Sequence, residues 1–203
     1  MHFHYDSVIV DIDGTLTIGE RLARNEHYGQ HSDCPACQTN LCLRGCGRNL
    51  GPYEECSCDL EPTDAYVTQS RIRWDEFYKA ASADKPQTKA LDFVTTLHEN
   101  IRNFYYLTGR PSAQGSVNVR QLTVDWLIQH GFPFVGEDRL LMRPVDSYGK
   151  SSEVKREILV PLLPQLGKHV LAIDDEDNNL KMFHELGFTT MKSPYCWERI
   201  SLV

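Results

Sequence analysis

Two acids separated by a single residue close a short apolar run near the start of this 203-residue chain, Ser7-Val8-Ile9-Val10-Asp11-Ile12-Asp13-Gly14-Thr15-Leu16-Thr17. Side chains alternate along an extended chain, so Asp11 and Asp13 project to the same side. Carboxylates packed together repel unless something cationic lies between them. Mg²⁺, which prefers hard oxygen ligands, is the usual answer, together with a phosphoryl group held by the ion. Two further apolar runs end in the same kind of chemistry. Phe104-Tyr105-Tyr106-Leu107 runs into Thr108-Gly109-Arg110, and Val170-Leu171-Ala172-Ile173 runs into Asp174-Asp175. A hydroxyl, a guanidinium and four carboxylates at three strand ends are a set suited to phosphoryl transfer.

Such residues must be carried by a framework that brings strand ends together. Val8 to Val10 reads as a strand buried on both faces, as in parallel sheets. Trp74, Phe77, Tyr78 and Ala81 fall on one face of a short helix ending near Asp84-Lys85-Pro86, and Leu91, Val94 and Leu97 on one face of a second. After the strand at 104–107, Val119, Leu122, Trp126 and Leu127 predict a helix stopped by Gly131, and residues 132–135 a short strand. Ser151 is the expected N-cap of a helix carrying Val154, Ile158 and Leu159. The strand at 170–173 is followed by a helix with Leu180, Phe183 and Leu186, closed by Gly187, and a last strand from Phe188 to Met191. Strand and helix alternate, which predicts an α/β fold with a mostly parallel sheet flanked by helices. Ligands of such sheets bind beyond the C-terminal strand ends, at the topological switch point. All three polar termini are expected there.

The composition bounds the rest. A formal net charge of −7 argues against nucleic-acid binding through the whole surface and leaves room for a local basic groove. No apolar run reaches the length of about eighteen residues needed to span a membrane. The N-terminus has neither a charged nor an apolar signal region, so the expected location is cytoplasmic. The sequence sets no oligomeric state.

Periodicity disappears from residue 18 to about residue 66. Six of the seven cysteines lie there: Cys34, Cys37, Cys42, Cys46, Cys56 and Cys58. Cys34-Pro-Ala-Cys37 has zinc-knuckle spacing, and in a chain without an export signal the cluster favours metal over disulfides. Four or more of the six are expected to bind structural Zn²⁺, holding together a segment with no core of its own. Spacing leaves open which four, and whether there is a second ion. The expected organisation is a core of residues 1–17 and 67–203 interrupted by a Cys-rich zinc-binding cap insertion at 18–66. The insertion also carries Arg21, Arg24, Arg44 and Arg48, a residue type suited to phosphate contact.

Asp-Ile-Asp-Gly-Thr-Leu-Thr at 11–17 resembles the first motif of the haloacid dehalogenase (HAD) superfamily of phosphotransferases. The resemblance implies a HAD-like Rossmannoid fold, with Asp11 as nucleophile and Asp13 as general acid/base. Thr108 fits the second motif, a hydroxyl bonded to the phosphoryl oxygens. The third motif is a lysine, for which Lys150 and Lys155 are candidates; Lys155, inside a helix, is preferred. Mg²⁺ is then expected on Asp11, the backbone carbonyl of Asp13 and Asp174, with Asp175 reaching it through water.

The series Leu-Thr-Gly-Arg-Pro, Arg120-x-x-Thr123-x-x-Trp126-Leu127, Met142-Arg143-Pro144, Val-Lys-Arg-Glu and Ala-Ile-Asp-Asp is similar to the 3′-phosphatase domain of phage polynucleotide kinases. It is similar also to stand-alone phage HAD phosphatases. The similarity covers about 8–17 and 74–196 and stops at the Cys-rich insertion. It implies that Gly109, Arg110 and Arg143 bind phosphate, with Arg21 the nearest match for a further arginine after the first motif. An acid that this group places ahead of its lysine has no counterpart here; Ser151 and Ser152 occupy the region. No GxxxxGK[ST] sequence is present, so the expectation is a phosphatase domain without a kinase half. The expected activity is Mg²⁺-dependent phosphomonoester hydrolysis through an aspartyl-phosphate at a nucleic-acid 3′ end. The alternatives are a 5′/3′-nucleotidase on free mononucleotides and a zinc-dependent nucleic-acid-binding module on an inactive HAD scaffold. The presence of both Asp11 and Asp13 disfavours the latter.

Overall fold

A computed structural model describes residues 4–18, 75, 77–133, 136–145, 147 and 149–194. The six clustered cysteines, Arg21, Arg24, Arg44, Arg48 and Trp74 lie outside the described residues. Five parallel strands form one sheet: β1 (Ser7–Val10), β2 (Asn103–Pro111), β3 (Leu140–Arg143), β4 (Val170–Asp174) and β5 (Thr189–Lys192). Their order across the sheet is β3-β2-β1-β4-β5, so β1 is central and the direction of winding reverses beside it. Val10 is in register with both Tyr106 of β2 and Ile173 of β4.

The alternation of side chains divides the core into two layers. Val8, Val10, Phe104, Tyr106, Leu171 and Ile173 face α1 (Thr88–Asn100) and α2 (Val119–Gln129). Ile9, Tyr105, Leu107, Val170 and Ala172 face α3 (Ser151–Leu159), α4 (Leu163–Leu166) and α5 (Asp177–Glu185). Both faces of the sheet are therefore covered, as the β-branched run at Val8–Val10 requires. In α1 the buried positions are Ala90, Val94 and Leu97; in α2 they are Val119, Thr123, Trp126 and Leu127. Each set follows the helical repeat. Asn118 caps α2 by accepting from the Gln121 N–H at 3.0 Å.

Three local expectations shift. Residues 132 and 133 are not strand; Phe132 is buried and stacks on Trp126, with ring centroids 5.4 Å apart. The edge strand is Leu140–Arg143 instead, too short for its alternation to stand out. Ser151 is the first residue of α3, and Lys150 is its cap. Leu16–Ile18 pair with Lys85–Gln87. The Ile18 N–H donates to Lys85 O at 2.9 Å, Gln87 N–H to Leu16 O at 2.7 Å, and Thr17 bridges Pro86 antiparallel. Among the described residues, no helix is long and apolar enough to cross a membrane.

Candidate active site

The three polar strand ends meet at the C-terminal edge of the sheet. Asp11 follows β1 directly, and its N–H donates to Ile173 O at 2.9 Å, which sets it level with Asp174 at the end of β4. The chain then turns through Gly14, whose φ of +75° lies in the left-handed region. A Cβ there would sit 2.2 Å from Asp175 Oδ2, so only glycine lets this turn approach the second acid of Asp174-Asp175. The Thr15 hydroxyl donates to Asp175 Oδ1 at 3.4 Å.

Lys155 enters from α3. Although buried, its Nζ lies 2.8 Å from Asp11 Oδ1 and 2.7 Å from Asp174 Oδ2. Lys150, the other candidate, is exposed at the start of the same helix. Asp174 is gripped from a second side by Asn179 of α5. The Asn179 amide nitrogen is 3.0 and 3.2 Å from the two Asp174 oxygens, 3.1 Å from Glu176 Oε2 and 3.4 Å from Ser151 Oγ. The Asp174 carboxylate also accepts from the Glu176 N–H at 3.0 Å.

Asp13 faces another partner. Arg110 donates to it through both prongs of its fork, Nε to Oδ2 at 2.8 Å and Nη2 to Oδ1 at 2.7 Å. Its Nη2 also reaches Asp84 Oδ2 at 3.4 Å, and its Nη1 donates to Thr123 Oγ1 at 3.2 Å. The side chain sequence reasoning assigned to phosphate is thus 2% exposed and directed at Asp13, Asp84 and Thr123. Thr108 is fully buried; its hydroxyl lies 3.5 Å from Asp13 Oδ2 and accepts from the Arg110 N–H at 3.1 Å. Arg143 turns to backbone, donating to Gly109 O at 2.8 Å, Ser147 O at 3.0 Å and Gly149 O at 2.8 Å. It ties the end of β2 to the loop that leads into α3, and so helps aim Lys155.

The electrostatics follow from this burial. Desolvation pushes the Asp11 carboxyl well above its usual range, aided by Asp174, Asp13 and Asp175 and opposed by Lys155. Burial disfavours charge on Lys155 too, but Asp11 and Asp174 outweigh it and raise its pKa. Asp175 is pushed up to about 6 by burial and by the negative charge of Asp174. Arg110 is likewise held charged by Asp13 against the cost of burial. The acids are thus more crowded than one lysine relieves. Asp11, Asp174 and Asp175 each offer a carboxylate oxygen, all within 4.8 Å of one another. Three hard oxygen donors in a partly open cluster suit Mg²⁺.

Asp84, Thr123 and Asn179 were not foreseen as parts of the site. Asp84 reads in sequence as the polar end of a helix before Lys85-Pro86, and Asn179 carries no local signal that sets it apart. Thr123 stands in the sequence only within the Arg120-x-x-Thr123-x-x-Trp126-Leu127 series, with no role assigned to it.

A family model described as the phosphatase domain of the polynucleotide kinase PNKP matches residues 56–195, more than half of the chain. No curated protein matches the chain significantly. Among solved structures, a chain in the Pnkp1/Rnl/Hen1 complex is 19% identical with a TM-score of 0.52; the alignment covers 93% of this chain and 45% of that one. This chain thus spans less than half of that relative's length. A haloacid dehalogenase-like hydrolase from Streptococcus pneumoniae is 14% identical with a TM-score of 0.56, covering 93% of this chain and 84% of the other. A HAD hydrolase from Entamoeba histolytica is 14% identical with a TM-score of 0.59, covering 91% and 82%. At these identities the structures establish a shared fold.

Proposed function

The chain belongs to the PNKP phosphatase-domain family of HAD hydrolases and is a phosphatase of that type, and from this premise we propose that it removes 3′-phosphates from nucleic-acid ends through an aspartyl-phosphate on Asp11. The family match over residues 56–195 carries the substrate reading. The arrangement of Asp11, Lys155 and Asp174 supports the mechanistic one.

In this reading an Asp11 carboxylate oxygen attacks phosphorus and the bond to the leaving alkoxide breaks, so one difficult displacement becomes two easier ones. Asp13 gives the alkoxide its proton and then takes one from the water that hydrolyses the acyl-phosphate. Thr108 and the backbone at Gly109 hold the phosphoryl oxygens. Lys155 opposes the upward pull of burial on the Asp11 carboxyl and offsets the negative charge gathered around the transferring group. Asp11, Asp174 and Asp175 would hold Mg²⁺, which supplies further charge neutralisation at the phosphate. Arg110 orients Asp13 through both prongs of its fork.

The insertion at 18–66 is, in the same reading, a zinc-held cap on the four or more ligating cysteines among Cys34, Cys37, Cys42, Cys46, Cys56 and Cys58. Arg21, Arg44 and Arg48 contact the substrate beyond the scissile phosphate. Replacing Arg44 and Arg48 with Ala should raise KM for an oligonucleotide, leave p-nitrophenyl phosphate little changed, and flatten the salt dependence of KM.

The deciding experiment compares a 3′-phosphorylated oligonucleotide with 3′- and 5′-mononucleotides of the same base. A higher kcat/KM on the oligonucleotide supports the proposal. A preference for mononucleotides would replace it with a nucleotidase.

A further inference from the structure

We infer that Asp84 is a positioning residue for catalysis: it anchors the far side of Arg110, so that the guanidinium fork holds the Asp13 carboxyl in line with the leaving group. The inference rests on the acid/base role proposed for Asp13.

An arginine can orient a carboxylate only if it is itself fixed. A guanidinium bonded to Asp13 alone would swing with it, and the pair would sweep an arc instead of holding a place. Arg110 is tied down on its other edges. Its Nη1 donates to Thr123 Oγ1 at 3.2 Å, and that hydroxyl donates to Val119 O at 2.8 Å within α2. Its Nη2 bridges the two acids, 2.7 Å from Asp13 Oδ1 and 3.4 Å from Asp84 Oδ2. Thr123 contributes a neutral contact; Asp84 contributes the opposing charge.

The anchor is rigid. Asp84 is buried, with only 8% of its surface exposed. Its carbonyl accepts from Trp126 Nε1 at 2.9 Å, and its N–H donates to Ala81 O at 3.2 Å. The next residue, Lys85, accepts from the Ile18 N–H at 2.9 Å, in the paired segments just beyond the Asp13 turn. Trp126, at 1% exposure, has no freedom to follow a moving partner. The framework therefore holds Asp84 from α2 and from the strand-end turn alike. A buried carboxylate so placed needs a cation, and Arg110 faces it at 3.4 Å.

Such positioning has a kinetic signature that a structural role lacks. A general acid matters in proportion to how badly the leaving group needs a proton. Phenolate, whose conjugate acid has a pKa of about 10 as in tyrosine, needs it. p-Nitrophenolate, a far weaker base, leaves readily without one. A misplaced Asp13 therefore slows the phenyl ester far more than the p-nitrophenyl ester, while damage to the fold slows both alike.

The experiment measures kcat/KM for phenyl phosphate and p-nitrophenyl phosphate with saturating Mg²⁺ on wild type, Asp84→Asn, Asp84→Ala and Asp13→Asn. Asp84→Ala is expected to lose about tenfold or more on the phenyl ester and about threefold or less on the p-nitrophenyl ester, a fraction of what a general acid contributes. Asp84→Asn, which keeps an acceptor for Nη2, should fall between it and wild type. Equal losses on both esters, or none on either, in a folded Asp84 variant would overturn the inference. If Asp84→Ala does not fold, Asp84→Asn decides on the same criterion. Asp13→Asn separates the two claims: a selective loss there with none in the Asp84 variants overturns the anchor alone, whereas no selective loss in Asp13→Asn overturns the acid/base reading and the inference with it.

Discussion

Lys155 Nζ lies between the last residue of one strand and the first residue beyond another, 2.7 Å from Asp174 Oδ2 and 2.8 Å from Asp11 Oδ1. One ammonium thus bridges two carboxylates that the sheet holds level. Both acids and the lysine are buried, so none of the three can lower its charge cost by turning to water.

Replacing Lys155 with Met keeps the volume and removes the cation. Activity should fall by about 10²–10³-fold at saturating Mg²⁺, the range found when one transition-state stabiliser is lost. The metal-free variant should also melt lower than wild type, since a buried pair broken on one side costs about 3–5 kcal/mol. Steady-state kinetics and melting curves check both. Retention of more than a tenth of activity would remove Lys155 from the mechanism.

Asn179 touches Asp174 and Ser151 and faces no solvent. Its replacement by Ala should free Asp174 to rotate and raise the Mg²⁺ concentration for half-maximal activity about 10–100-fold, as for groups that orient metal ligands. KM for the phosphate ester at saturating Mg²⁺ should change little. A titration of activity against Mg²⁺ reads this directly; an unchanged midpoint would show that Asp174 keeps its orientation unaided.

Metal-free protein should carry a pH signature of its crowded acids. Asp175 is pushed up to about 6, above its ordinary value, so the folded state binds that proton more tightly than the unfolded chain does. Its contribution to stability is therefore fully present below the ordinary carboxylate pKa of about 4 and lost as pH rises through about 6. Mg²⁺ should reverse the loss, raising the melting temperature more near neutral pH than near pH 5, where protons compete for the same oxygens. Asp175→Asn should flatten both trends. A Mg²⁺ effect equal at the two pH values would place the ion elsewhere.

The alternation of apolar runs and the acids closing them were enough to predict the parallel sheet and the edge where Asp11, Thr108 and Asp174 meet. Those features are local: a strand and the residue that ends it lie within a few positions of each other. The partners across the site were not legible for the opposite reason. Asp84 reaches Arg110 only because the paired segments near Thr17 and Pro86 bring it there. Asn179 meets Asp174 because α5 folds back on the strand end that precedes it. Arg110 has the sequence context of a phosphate ligand, and nothing in that context reveals that its fork is directed at Asp13. The edge strand at Leu140–Arg143 is too short for its alternation to stand out, whereas Phe132, which mimics a strand residue, packs against Trp126.

Zinc should accompany the protein purified without added metal, bound by the cysteines of the insertion and not by the carboxylates, whose hard oxygens favour Mg²⁺. Elemental analysis of wild type and of the Cys34→Ser and Cys37→Ser variants is the check. Absence of zinc, or zinc content unaffected by both substitutions, would contradict the zinc-held cap.

The central claim is that Asp11 is the nucleophile of a phosphatase. Asp11→Asn removes the attacking oxygen at constant volume, and relief of repulsion among the acids should leave the fold at least as stable. Phosphate release from p-nitrophenyl phosphate, measured with and without Mg²⁺ on wild type and on Asp11→Asn, tests it most directly. Wild type should release phosphate in a Mg²⁺-dependent manner, and a folded Asp11→Asn should release none above background. Asp11→Asn retaining more than a few per cent of wild-type activity would contradict the covalent mechanism.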